Sequence, residues 1–194
     1  MKSTIQEIFE SSITLQNQYL RLALVVETTE ALAKSMAEVF QQGKKVLICG
    51  NGGSMCDADH FAEEFTGRFD KDRPPLPVIS ISNGSFLSCT ANDYGFKDVF
   101  NRYVEAFGGK GDMLIALSTS GNSVNVERAV KSAIKKEMET CSLLGKDGGR
   151  LLGLCRHQFL VPSFQTARIQ EIHMLLLHTL IQLVEQILFP HNYQ

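Results

Sequence analysis

The sequence predicts an α/β fold: a doubly wound, three-layer αβα sandwich around a five-stranded parallel sheet, with extra helices at the N-terminus. Three observations carry this expectation. Short apolar runs of strand length alternate with stretches of helical composition, and strands separated by helices form a parallel sheet covered on both faces. Right-handed crossovers then place helices on both sides of that sheet. Two of the apolar runs end in loops rich in Gly, Ser and Asn, at the carboxyl ends of strands where such sheets bind ligands.

The elements follow in order. Residues 3–42 lack Pro and Gly and carry apolar residues at helical spacing: Ile5, Ile8, Phe9 and Ile13, then Leu32, Met36 and Phe40. They read as one or two helices stopped by Gly43. Val46–Cys49 is the first strand, followed by Gly50-Asn51-Gly52-Gly53-Ser54 and a helix to about Phe69. Pro74, Pro75 and Pro77 mark a loop before a second strand, Val78–Ile81. A helix from about Phe96 to Phe107 and a loop with Gly108, Gly109 and Gly111 lead to the third strand, Met113–Leu117. Ser118-Thr119-Ser120-Gly121-Asn122-Ser123 then opens a helix to about Lys136. Thr140–Leu144 and Gln158–Val161 supply strands four and five, and a helix from about Thr166 to Phe189 closes the chain. With no internal repeat, residues 1–194 read as a single domain.

Composition narrows the partners. Nineteen Lys+Arg stand against 21 Asp+Glu, a formal net charge of -2. There is no basic footprint for nucleic acid or an anionic membrane. The longest uncharged apolar segment, Ile172–Val184, is short of the ~20 residues that span a bilayer. Its apolar character points to burial, partly at a subunit interface. The best apolar run near the N-terminus, Leu22–Val26, is too short for a secretory signal. Cys49, Cys56, Cys89, Cys141 and Cys155 are odd in number, scattered and free of C-x-x-C spacing. A reducing, cytoplasmic compartment is the expectation, with most of them acting as small buried apolar residues.

Four features can carry chemistry. The first loop allows close backbone approach to a ligand, yet Met55 stands where a dinucleotide fingerprint needs its third Gly. The second loop places four hydroxyls at a helix N-terminus, whose free N–H groups and partial positive charge favour anions such as phosphate. With no Lys in it, it suits a sugar monophosphate. His60 and Glu64 share one helical face, as metal ligands or a proton-exchanging pair do, while Glu63 points elsewhere. In the last helix, Gln170 and His178 are eight residues apart, about 80° around the axis and ~12 Å along it. They meet only if both side chains reach toward the middle. His173 is turned about 140° from His178, so the two histidines do not share a site easily. Each feature also has a plain reading: a tight turn, an N-cap cluster, a surface histidine, a hydrogen-bonded core histidine.

Taken together, the Gly50–Ser54 loop, His60-Phe61-Ala62-Glu63-Glu64, Asn92-Asp93, the Ser118–Ser123 loop and Arg168-Ile169-Gln170-Glu171-Ile172-His173 resemble the phosphoheptose isomerases of the sugar-isomerase (SIS) fold. The resemblance runs over nearly the whole chain. It implies a flavodoxin-like SIS domain and a homotetramer with active sites at subunit interfaces. The reaction it implies converts sedoheptulose 7-phosphate to D-glycero-D-manno-heptose 7-phosphate through an enediol, toward the heptose of bacterial lipopolysaccharide. By the same resemblance, Ser118, Thr119, Ser120 and Ser123 hold the phosphate, and Asn51, Gly52, Gly53, Ser54, Glu64, Arg68, Asn92, Asp93 and Gln170 line the sugar. His60, Glu64, Gln170 and His178 hold one zinc ion per subunit, and Glu64 and His178 form the acid–base pair. Ala167 departs from relatives that carry an acid there. The stretches Thr166–Glu171 and Leu188–His191 are also similar to a non-catalytic paralogue that binds the replication initiator DnaA. A sugar-phosphate-sensing regulator would keep the Ser/Thr cradle without the acid–base pair. The presence of His60, Glu64 and His178 favours the enzyme.

Overall fold

The computed structural model describes residues 1–193. Helices α1 (Lys2–Tyr19) and α2 (Ala23–Gln41) precede β1 (Val46–Cys49), α3 (Gly53–Thr66), β2 (Val78–Ser80), α4 (Gly84–Tyr94) and α5 (Val99–Phe107). β3 (Met113–Ser118), α6 (Val124–Lys135), β4 (Glu139–Gly145), β5 (His157–Val161) and α7 (Thr166–Leu188) follow. Short 3₁₀ turns lie at Phe96–Asp98, Gly149–Leu151 and Pro190–Tyr193. The five strands form one all-parallel sheet in the order β2-β1-β3-β4-β5. The register pairs Val46 with Met113 and Met113 with Glu139.

β1 and β3 are buried on both faces and apolar up to Ser118, whereas β4 and β5 admit Thr140, Ser142, His157 and Gln158; period two divides the strand side chains between two cores. Val46, Ile48, Met113, Ile115, Leu117, Cys141 and Leu143 pack under α1, α2, α3 and α7. Leu47, Cys49, Leu114, Ala116 and Leu144 pack against α4, α5 and α6 on the other side. This is the expected three-layer sandwich. Among the described residues, no helix is long and apolar enough to cross a membrane.

Several local expectations are corrected. Helix α4 has no counterpart in the sequence reading. The helix expected from Phe96 begins as a 3₁₀ turn and becomes α-helical only at Val99. β2 stops at Ser80, and α3 stops at Thr66, before Gly67, rather than at Phe69. The apolar length of α7 is largely taken up inside its own subunit, where Ile169, Ile172, Leu176, Leu177, Leu180, Ile181 and Val184 are buried. Ile187 is the large apolar side chain that α7 leaves exposed, whereas exposed apolar side chains cluster on α1 (Ile5, Ile8, Phe9, Ile13) and at the start of α2 (Leu22, Leu24, Val26). All five cysteines are free, but only Cys49 and Cys141 are fully buried; Cys56 and Cys89 are exposed.

Candidate active site

The strand order turns back between β1 and β3, which makes their carboxyl ends the switch point at which sheets of this kind bind ligands. The two sequence-flagged loops flank this point. They are tied by Asn51 and Asn125, whose amides donate to each other's carbonyl oxygens at 3.0 and 2.9 Å. Asn125 is buried and also accepts from the Val126 amide, which fixes the first turn of α6. In the second loop the Ser118 hydroxyl donates to Ser123 at 3.2 Å, and the Ser120 hydroxyl accepts from the Asn122 amide. Ser123 sits at the N-cap of α6 yet makes no capping bond. Thr119 and Ser120 are half-buried. Gly121 has a φ of 65°, and a Cβ there would lie 1.9 Å from the Gly148 carbonyl oxygen. The loop after β4 thus backs the cradle directly. Hydroxyls and the α6 N-terminus converge as an anion site requires.

The second centre lies between α3 and α7. Gly53 and Ser54 meet Gln170, while Glu64 meets His178, so the two helices run parallel side by side. The Glu64 Oε1 is 3.1 Å from the His60 Nε2 and 3.6 Å from the His178 Nε2. The two imidazoles meet edge to face at 5.2 Å, and Phe69 stacks on His178 at 5.8 Å. Glu64 is buried, and its Oε2 has no hydrogen-bond partner. That burial lifts its carboxyl above the ordinary carboxylate range, against the opposing pull of His60 and His178. One donor atom each from His60, Glu64 and His178 lies within 4.8 Å of the others. Glu63 is 4.0 Å from His60 and largely solvated.

The other expected site residues are placed differently. The Gln170 amide lies 3.4 Å from the Ser54 hydroxyl, about 12 Å along α7 from His178. Asn92 and Asp93 are exposed on α4 and paired with each other, Asn92 donating at 2.8 Å. Arg68 is exposed just beyond α3. His173 is a buried structural residue whose Nε2 is 3.1 Å from the Leu144 carbonyl. Two residues escaped the sequence reading. Asn125 stood in view, two residues past the Ser-rich loop. Arg73, buried beneath the end of α3, gave no signal from within a Pro-rich segment.

A five-stranded parallel sheet with a hydroxyl-rich loop at its switch point defines a doubly wound α/β domain. The SIS domain family matches residues 8–145. A phosphoheptose isomerase of Fusobacterium nucleatum is 57% identical over 165 residues, covering 85% of each chain. One from Vibrio cholerae is 50% identical over 186 residues, covering 93% of this chain and 97% of its own. The solved phosphoheptose isomerase of Neisseria gonorrhoeae superposes with a TM-score of 0.89 at 37% identity, covering 95% of this chain and 98% of its own. The chain therefore belongs to the SIS domain family, in its phosphoheptose isomerase branch.

Proposed function

We propose that this chain, as one SIS domain, is a cytoplasmic sedoheptulose 7-phosphate isomerase that makes D-glycero-D-manno-heptose 7-phosphate for lipopolysaccharide heptose. The observation that carries the reading is the Glu64 carboxylate held against two imidazoles from two helices, at 3.1 and 3.6 Å. A lone buried carboxylate is costly. One kept among histidines is suited to moving protons.

Ser118, Thr119, Ser120 and Ser123 would bind the phosphate with hydroxyls and the α6 N-terminus. Asn51, Gly52, Gly53, Ser54, Arg68, Asn92, Asp93 and Gln170 would orient the sugar. Isomerisation takes a proton from C1 of the ketose, passes through an enediol and returns a proton to C2. Glu64, whose lifted pKa brings it nearer neutrality, would take one proton while His178 supplies the other. Each such group contributes about 10²–10⁴-fold. The donor set also fits zinc: two imidazole nitrogens and a carboxylate whose second oxygen is unpartnered. His60, Glu64 and His178 would hold the ion, joined by Gln170 if its amide leaves Ser54 and swings along α7. When bound, such an ion polarises the sugar's carbonyl oxygen.

The proposed assembly is a homotetramer. Ile5, Ile8, Phe9 and Ile13 form an uncovered apolar face on α1, and buried faces of this kind build symmetric oligomers. Glu64 stands about 16 Å along α3 from the Gly53 loop. That separation favours sites shared between copies, one copy's cradle opposite another's acid–base cluster. Incubating the purified protein with sedoheptulose 7-phosphate, with and without zinc, and detecting the aldose phosphate tests the reading. Absence of turnover in both would overturn it in favour of initiator binding or sugar-phosphate sensing.

A further inference from the structure

We propose that Arg73 is a positioning residue for Glu64: with Glu185 and Tyr193 it forms a buried brace that sets the gap between α3 and α7 across which Glu64 meets His178. The inference rests on the acid–base reading of Glu64 and adds to it the means by which the carboxylate is held.

The last carbonyls of a helix lack partners within it. In α3 the Gly67 amide takes the Glu63 carbonyl, the Leu76 amide donates to the Phe65 carbonyl, and one side chain serves the Glu64 and Phe65 carbonyls. The Arg73 Nη2 donates to the Glu64 carbonyl at 2.7 Å and the Nη1 to the Phe65 carbonyl at 2.6 Å. The grip therefore falls on the backbone of Glu64 itself. The Nε of the same guanidinium donates to the Glu185 Oε1 on α7 at 2.8 Å, and both side chains are 1% exposed. Glu185 lies seven residues beyond His178, two turns on and nearly on the same face. The planar guanidinium therefore spans from the backbone under Glu64 to the helix that carries His178. Its N–H groups sit in a rigid fork, so it acts as a spacer of set length.

The brace is sealed from the C-terminal side. The Tyr193 hydroxyl donates to the other Glu185 oxygen at 2.6 Å, and the Asn192 amide donates to the Asp72 carbonyl at 3.0 Å. Both Glu185 oxygens are thus occupied. Burial, then the bond to Glu185, pushes the Tyr193 phenol well up, which keeps it a donor. A buried ion pair is seldom more stabilising than well-packed apolar residues. What this one supplies is direction: donors at set angles on two helices. Gln170 on Ser54 ties the same helices at their other end, so the Glu64–His178 contact lies between two polar ties.

The test compares Arg73→Lys, Tyr193→Phe and a control, Val130→Ala, in the second core away from both helices. A lysine point charge can satisfy Glu185 or the α3 carbonyls, not both. The readouts are kcat and KM on sedoheptulose 7-phosphate, the ¹⁵N resonances of the His60 and His178 imidazoles at one pH, and the urea midpoint. Arg73→Lys is expected to lower kcat by at least about tenfold with KM within about twofold, since small misplacement of a reacting group is costly. It should also shift the His178 resonance. Tyr193→Phe should move both readouts in the same direction by less, and Val130→Ala should lose stability with kcat and resonances unchanged. A folded Arg73→Lys with wild-type kcat and wild-type His178 resonances would overturn the proposal. If Arg73→Lys does not fold, Tyr193→Phe decides by the same two readouts. If the wild-type protein shows no isomerisation, the proposed activity fails instead, and the His178 resonances alone decide the brace.

Discussion

Replacing His173 by Gln should remove a loss of stability that the wild-type protein suffers as pH falls. The His173 imidazole is fully buried, with its Nε2 3.1 Å from the Leu144 carbonyl. A carbonyl only accepts, so the Nε2 carries the proton and the Nδ1 is bare. The Nδ1 is buried with no partner. Protonating it would place a charge with no acceptor in the core, and burial pushes the pKa from 6.5 down to about 4. Between those values the unfolded chain binds a proton that the folded one refuses. The contribution is therefore complete above the unfolded pKa of 6.5 and is lost as pH falls toward 4. The loss amounts to about 2 kcal/mol by pH 5 and about 3 kcal/mol by pH 4. A Gln amide reaches about as far as the Nε2, keeps a donor for Leu144 and does not titrate. Urea unfolding of both proteins at one concentration, at about pH 7 and about pH 5, gives the comparison. The wild type should lose about 2 kcal/mol more than His173→Gln. His157, also pushed down by burial, and Glu64 are present in both and cancel. Equal losses would refute the reasoning, because His173 would then be accepting its proton without penalty.

The remaining predictions concern the site and the assembly. Glu64→Gln and His178→Gln should each lower kcat by at least about 10²-fold while substrate still binds, which initial rates and a binding titration measure together. Ser120→Ala and Ser123→Ala should raise KM about 10- to 100-fold with little change in melting temperature, from the loss of a donor to a charged ligand. Gly121→Ala combines a left-handed backbone with a Cβ 1.9 Å from a carbonyl oxygen. It should cost more than about 1 kcal/mol by urea midpoint and raise KM with it. Phe9→Asp puts a charge on the uncovered face of α1 and should shift sedimentation from a tetramer toward smaller species.

β1 and β3 were the most legible strands because burial on both faces leaves them almost no polar residues to confuse the pattern, unlike β4 with Thr140 and Ser142 or β5 with His157 and Gln158. Val46–Cys49 and Met113–Leu117 are unbroken apolar runs. Helix α4 was not legible. Gly84-Ser85-Phe86-Leu87-Ser88-Cys89-Thr90 is weak in helix formers, and only Thr90 of the helix is buried. It forms because the Asn83 side chain caps the Phe86 amide and because Phe86 and Leu87 rest on the second core. The two ligand loops could be read because each is a local motif. His60 and Glu64 could be paired by helical spacing, but nothing local brings His178 to them; only the resemblance did so. Arg73 and Glu185 look like ordinary surface residues in sequence, and their contact exists only once α3 and α7 lie side by side. The apolar spacing on α1 identified a helix correctly, yet the same period serves a face turned to its own core or to another copy.

Gly53 begins α3 where a Cβ would stand 2.5 Å from the Gln170 amide nitrogen, and its three nearest atoms would all belong to that side chain. Alanine has less backbone freedom to lose than glycine on entering a helix, so Gly53→Ala, at the first position of α3, would favour the helix modestly and displace the end of one flexible side chain. The obstacle to that substitution is therefore not folding but reach: the Cβ would take the space that the Gln170 amide now fills and restrict a side chain that the proposed reaction uses. A selection for thermal stability would accept alanine at this position and a selection for turnover would reject it, so the two screens should part company at residue 53.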